Sequence, residues 1–167
     1  MLETGSVQVD FEQRKKKIAD DIAENVSKIN ADFHALEDNS LLDEVTSLVE
    51  MPNILIGQFE KRFLKIPQEC LILTMKSNQK YFPILNKKNE LTNYFVIVSN
   101  INPQNTKHII HGNEKVIRPR LADAEFFYNK DKAYTLKNFS EKLNSIIYHN
   151  KLGTQHDRAL RVAKILV

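Results

Sequence analysis

A chain of 167 residues suits one domain, or one domain with an appendage, and 42% hydrophobic residues are enough for a buried core. Four Gly and five Pro exclude a fibrous or low-complexity chain, and no run approaches the roughly 18 apolar residues of a membrane span. A single cysteine, Cys70, excludes a disulfide framework and fits a reducing, intracellular setting, while the net charge of +3 permits nucleic-acid contact without demanding it.

In chain order, Val7-Gln8-Val9 reads as a short strand, and Asp10 as the N-cap of a long helix over roughly 11–30, with Gln13 as its capping-box partner. Phe11, Ile18, Ile22, Val26, Ile29 and Phe33 recur at helical spacing. The run Arg14-Lys15-Lys16-Lys17 sits near the helix start, where the dipole disfavours cations, and reads as a solvated face, with phosphate contact as the alternative. Ser40 is placed to cap a second helix through Val49, and Pro52 cannot continue it. Ile54–Phe59 then reads as a buried strand, and Pro67 as the first residue of a helix through Met75.

Tyr81–Leu85 and Tyr94–Val98 are rich in aromatic and branched residues and flank the polar connection Asn86–Glu90, the clearest hairpin in the chain. Pro83 lacks a ladder donor, which predicts an edge strand or a bulge. From Thr106 to Asp131 the spacing is helical, with Ile109, Val116, Leu121, Ala124 and Phe127 or Tyr128 inward, and Pro119 predicts a kink or restart near Arg118. Leu136–His149 reads as another helix with Phe139, Leu143, Ile146 and Ile147 inward, ended by Gly153 as its C′ residue, and residues 154–167 begin a further one.

Together these elements predict an α+β fold: a small mixed or antiparallel sheet of about three or four strands flanked by helices, with a helical C-terminal extension. The expected division is an α+β module over 1–132 and a helical segment over 133–167. The apolar ending Lys164-Ile165-Leu166-Val167 has no helix stop signal, which predicts a cut inside a longer protein, and the amino end has no signal-peptide pattern.

Cys70, in the apolar run Cys70-Leu71-Ile72-Leu73, reads as a small buried hydrophobe rather than a nucleophile. His108 and His111 can share a helical face, but neither they nor His34, His149 and His156 complete a recognisable metal-ligand set. No phosphate-binding glycine loop or nucleophile elbow occurs either, so no catalytic or metal residue is assigned.

Two constellations are candidates for RNA contact. In Gly112–Tyr128, Lys115, Arg118 and Arg120 can offer donors to phosphates, while the Glu114–Arg118 and Arg120–Asp123 spacings equally allow ion pairs along the helix. In Lys76–Phe82, Lys76, Gln79 and Lys80 can touch RNA. Tyr81 or Phe82 can stack on an unpaired base, strand alternation sending at least one of them to the core.

The same stretches carry a resemblance. Leu41-Leu42-Asp43-Glu44-Val45-Thr46 through Pro52 resembles the LLDEVT-LVEWP pattern of the beta subunit of bacterial two-subunit glycyl-tRNA synthetase, with Met51 where Trp is usual. Phe63–Glu69, Thr74-Met75-Lys76 and Gln79-Lys80-Tyr81-Phe82 resemble that family's FL-VPQE, TM and QKYF elements. Gly112–Tyr128 is similar to GNEKV-RPRLADAEFFY nearly residue for residue, and Lys151-Leu152-Gly153-Thr154 to its KLGT element. The resemblance covers roughly residues 7 to 160.

It implies an internal, B3/B4-like region of that subunit, of the kind also found in phenylalanyl-tRNA synthetase beta chains. The family's EIGTEELP-like opening, and its later HD-like and anticodon-binding modules, are absent from this sequence. It further implies a cytoplasmic class II glycine–tRNA ligase in which glycine and ATP with Mg are handled on the separate alpha subunit. This piece would then hold no cofactor and be inactive alone. The implied partners are glycine tRNA, the alpha subunit and other beta-subunit domains, with no membrane. The implied role is tRNA binding and subunit assembly for ATP-dependent glycylation. Two alternatives stay open: an interaction scaffold for the alpha subunit, and an editing hydrolase. Glycine's small size leaves an editing sieve little to do, because larger competitors are excluded sterically.

Overall fold

The computed structural model describes residues 7–102 and 105–166. The chain forms two compact units that divide between Glu125 and Phe126.

In the first unit, α1 (Phe11–Ile29) starts where Asp10 accepts the Gln13 amide at 2.8 Å, and it buries Ile18, Ile22 and Val26 along one face. The helix α2 (Asn39–Leu48) is capped by Asp38 rather than by Ser40, with the Leu41 amide at 2.9 Å. A carboxylate both accepts the bond and complements the positive end of the helix, which a hydroxyl does not. Val7-Gln8-Val9 forms no strand. Gln8 donates one backbone bond to Glu50, and the Gln8 and Val9 carbonyls are taken by the Arg14 guanidinium. Arg14 also donates to the Thr46 carbonyl at 3.0 Å, in the last turn of α2, where helical carbonyls lack intrahelical partners. The expected solvated basic face is therefore partly a clamp, and Lys15 and Lys17 pair with Asp43 and Asp21 at 2.6 and 2.7 Å.

Four antiparallel strands lie in the order β1 (His34–Ala35), β3 (Phe82–Leu85), β4 (Leu91–Ser99), β2 (Asn53–Gln58). The first has only two residues, too few to show a period in sequence. Ile54, Ile56, Phe82, Ile84, Val96 and Val98 share the face that packs on Ile18, Ile22 and Val26 of α1 and on Leu41 and Val45 of α2. Alternation sends Leu55, Gly57, Phe95 and Ile97 to the opposite face. There the Tyr81 and Phe59 rings lie against Phe95, at centroid distances of 4.7 and 6.4 Å. Leu71 and Met75 of α3 (Gln68–Gln79) and Phe63 of the 3-10 turn Lys61–Lys65 are fully buried as well. Each such side chain contributes about 1.5–3 kcal/mol of burial.

Pro83 is not on an edge, because the Leu36 amide donates to its carbonyl and β1 covers that side. The bulge is real, with the register shifting between Pro83 and Leu85. The extra residues lie on β4. Thr92 Oγ1 donates to the Ile84 carbonyl at 2.7 Å, and the Asn93 carbonyl accepts the Phe59 amide while the Asn93 side-chain amide donates to the Phe59 carbonyl at 3.2 Å, so both buried polar groups are satisfied.

The helix α4 (Lys107–Lys132) runs unbroken through Pro119, with no restart at Arg118. Pro119 sits on the exposed side, where the carbonyl that loses its helical partner has access to water. The buried residues of α4 are Ile117 and Leu121, while Val116 and Phe127, expected inward, are exposed.

The second unit also departs from expectation. Leu136–His149 is not one helix but α5 (Leu136–Lys142), a 3-10 turn (Leu143–Ser145) and β5 (Ile147–His149), paired antiparallel with β6 (Gly153–Thr154). Gly153 is not the C′ residue of a helix: with a positive φ of 84° it opens the second strand of the hairpin, and a Cβ there would collide with the Asp157 carboxylate. Thr154 and Asp157 form a capping box that starts α6 (Gln155–Ile165).

A packing constraint on the sheet lies at Gly57, where an added Cβ would lie 2.5 Å from Phe95 Cζ, on a ring held by Tyr81 and Phe59. Gly57→Ala is therefore expected to cost about 1–3 kcal/mol in urea unfolding, the usual range for overpacking a dense core. An unchanged midpoint would show that Phe95 can yield.

Candidate nucleic-acid interface

The candidate residues of α3 sit in its last turns and at its end. Lys80 adopts a left-handed conformation with φ 57°, closing the helix as its C-cap. Lys76 makes an ion pair with Asp38, the N-cap of α2, and Lys80 pairs with Glu44 at 2.8 Å. Both ammonium groups thus tie α3 to α2. Gln79 is half-buried. Tyr81 and Phe82 are both buried, which removes the stacking reading: Phe82 faces α1 and α2, and Tyr81 lies against Phe95. Cys70 is half-buried rather than fully enclosed.

Along α4 the expected intrahelical pairs give way to longer ones. Glu114 accepts the Gln58 amide at 3.0 Å, and Arg118 pairs with Glu60 at 2.6 Å instead of with Glu114. Arg62 reaches Glu125 at 2.8 Å. Asn113 accepts the Tyr81 hydroxyl at 2.6 Å and donates to the Ile109 carbonyl. Among the described residues Lys115 and Arg120 have no carboxylate within 4 Å, and both are exposed. The six candidates therefore separate into three cations committed to carboxylates, Lys76, Lys80 and Arg118, and three uncommitted groups, Gln79, Lys115 and Arg120. Glu44, Glu60 and Asp38 were not legible as partners, because they lie far along the chain from the residues they hold.

No group of three or more His, Cys, Asp or Glu residues suited to a metal ion occurs among the described residues. No helix among the described residues is long and apolar enough to cross a membrane. An open cleft of about 540 Å³ lies between α1 and the β1–α2 connection, with Phe33, Leu42 and Phe82 among its lining, and it includes none of the six candidates.

Two titrations report on this arrangement. The Asp38 carboxyl is held below its ordinary value of 3.8, first by the hydrogen bond from Lys76 and then by the Leu41 amide. A depressed folded pKa means that the stabilisation is complete above the unfolded value and is lost as pH falls through the folded one. Asp38→Ala should cost about 1–2 kcal/mol at pH 7, and the gap from the parent chain should shrink steadily below pH 4 in urea titrations.

Burial pushes the Tyr81 phenol up to about 12. Its neutral form is favoured in the fold, so that contribution is present below the unfolded value near 10 and is lost as pH rises toward 12. Ultraviolet titration should show a phenolate component near 12 that Tyr81→Phe removes. A difference spectrum that titrates near 10 would contradict the buried placement.

The comparisons with known proteins point one way. A family model described as glycyl-tRNA synthetase beta subunit matches residues 1–167. The glycine–tRNA ligase beta subunit of Polaromonas naphthalenivorans is 54% identical over 163 residues, 98% of this chain and 23% of that protein. Those of a Janthinobacterium species and of Delftia acidovorans are 52% and 51% identical over 161 and 163 residues, 96% and 98% of this chain and 23% of each relative. The chain spans about a quarter of the length of the curated relatives it matches.

Proposed function

The chain belongs to the glycyl-tRNA synthetase beta-subunit family, and from that premise we propose that it is a non-catalytic portion of such a subunit, contributing to tRNA binding and subunit assembly for ATP-dependent glycylation of tRNA. Its partners are then glycine tRNA, an alpha subunit and other beta-subunit domains in the cytoplasm. ATP with Mg is used on the alpha subunit and not by these residues. The observation that supports RNA contact in the first unit is the pair Lys115 and Arg120, exposed on α4 with no carboxylate partner among the described residues. Arginine and lysine in that state are available to phosphates at no cost in broken ion pairs. Lys76, Lys80 and Arg118 must first give up Asp38, Glu44 and Glu60 to take part.

The double variant Lys115→Ala, Arg120→Ala tests this reading by fluorescence anisotropy with glycine tRNA over a range of salt. Affinity should fall about tenfold, and the log–log salt slope should shrink by about 1–2, one unit for each phosphate contact removed. An unchanged affinity and slope would remove α4 from the RNA surface.

A further inference from the structure

The net charge of +3 hides an asymmetry. Phe126–Val167 holds eight Lys and Arg against three Asp and Glu, a balance of +5, while residues 1–125 carry −2. The two units also treat their charges differently. In the first, Lys15, Lys28, Arg62, Lys76, Lys87 and Arg118 are among the cations that pair with carboxylates. In the second, none of the described cations has a carboxylate within 4 Å. Asp157, one of its few acids, is occupied by the capping box, and the Thr154 amide and hydroxyl hold its carboxyl below the usual range.

Four of the eight, Lys130, Lys132, Lys142 and Arg158, are instead set against aromatic rings. Lys142 Nζ lies 4.4 Å from the Tyr134 centroid, Arg158 Cζ lies 4.7 Å from that of Tyr148, and Lys130 Nζ lies 5.6 Å from that of Phe126. These three rings are 46%, 42% and 58% exposed. A cation beside a ring supplies positive charge where a stacked nucleotide's phosphate must lie. Phe126 and Tyr134 each also meet a second ring, Phe127 and Phe139, in T-shaped pairs at 5.4 and 5.7 Å, so part of each exposed ring surface is shared with that neighbour. Leu136 and Ile165 are exposed too, as they would be beneath a protein cover. Yet the cores of protein interfaces are depleted in lysine, and six of the eight cations here are lysines.

We propose that Phe126–Leu166 is a docking surface for unpaired RNA, with Tyr134, Tyr148 and Phe126 as stacking platforms and the unpaired lysines and arginines neutralising the strand. The proposal rests on the RNA-binding reading above and adds residues of the second unit to Lys115 and Arg120 of the first.

The test uses the 167-residue chain with two fluorescent probes, a 12-nucleotide uridine oligomer and heparin, a polyanion without bases. The parent chain should bind the oligomer with a log–log salt slope of about −2 to −3, as for three or four single-strand phosphates. Lys151→Glu with Arg161→Glu, both exposed, should weaken it at least tenfold with an unchanged circular dichroism spectrum. Tyr134→Leu with Tyr148→Leu should weaken the oligomer at least threefold and leave heparin unchanged; Phe126→Leu serves as a second aromatic variant should that pair unfold.

Unchanged oligomer binding by the charge variant overturns the proposal. So does an aromatic variant that spares the oligomer or weakens heparin equally, which would leave a polyanion surface only, and so does a charge variant that alters self-association alone, which would indicate a protein cover. Loss of binding in Lys115→Ala, Arg120→Ala but not in the second-unit variants would sink this proposal and spare the earlier reading. No binding of glycine tRNA or of the oligomer by the parent chain would sink both.

Discussion

The first unit is organised around the approach of Phe95 to Gly57. The two residues are directly paired across β4 and β2, and the ring lies where any side chain at position 57 would have to go. Because Phe95 and Val96 point to opposite faces and neither is exposed, β4 needs an apolar layer on both sides. The helices α1 and α2 supply one layer. On the other side, Phe59 and Tyr81 lie against Phe95, the turn carrying Phe63 meets β4, and α3 meets β3. The β4 bulge follows from the same demand, because it brings Asn93 to the Phe59 backbone and so fixes the aromatic group that closes the second layer.

Around that core, the polar residues that carry the family resemblance act largely as stitches. Gln68 accepts the Leu91 amide, Glu114 the Gln58 amide and Asn113 the Tyr81 hydroxyl, while Lys76 and Lys80 bind α3 to α2. Exposed ion pairs of this kind contribute little singly, of the order of 0–1 kcal/mol. Their stronger effect is to fix which helix lies beside which. A residue that looks like a ligand for phosphate in sequence is thus often a ligand for a distant carboxylate in the fold. The charge left for external partners is what those pairings do not consume. Lys115 and Arg120 on α4 keep theirs, and so do the cations beyond Glu125.

Local chemistry predicted local structure well. The α1 start at Asp10, the hairpin around Asn86–Glu90 and the irregularity near Pro83 all depend on groups within a few residues of one another. Expectation failed where a competing partner came from elsewhere. Asp38 displaced Ser40 as a cap while also meeting Lys76, and Arg14 used the Gln8 and Val9 carbonyls that a strand would have needed. Between Leu136 and His149, helical spacing of apolar residues was misleading because Ile146 and Ile147 are exposed rather than inward, so no packed face enforces the period.

Sequence alone determined the α+β class, the periods of α1 and of the β3–β4 hairpin, and membership of the family, since these depend on residue order and short-range sterics. It also contained the charge asymmetry between the two units, although only the division at Glu125 gives that asymmetry a boundary. Tertiary structure decided which cations remain available. An ion pair such as Arg118 with Glu60 joins residues far apart in the chain, and no spacing rule encodes it. It also decided that Tyr81 is a buried hydrogen-bond donor while Tyr134 and Tyr148 are open rings, because burial depends on what packs above a side chain and not on the side chain itself.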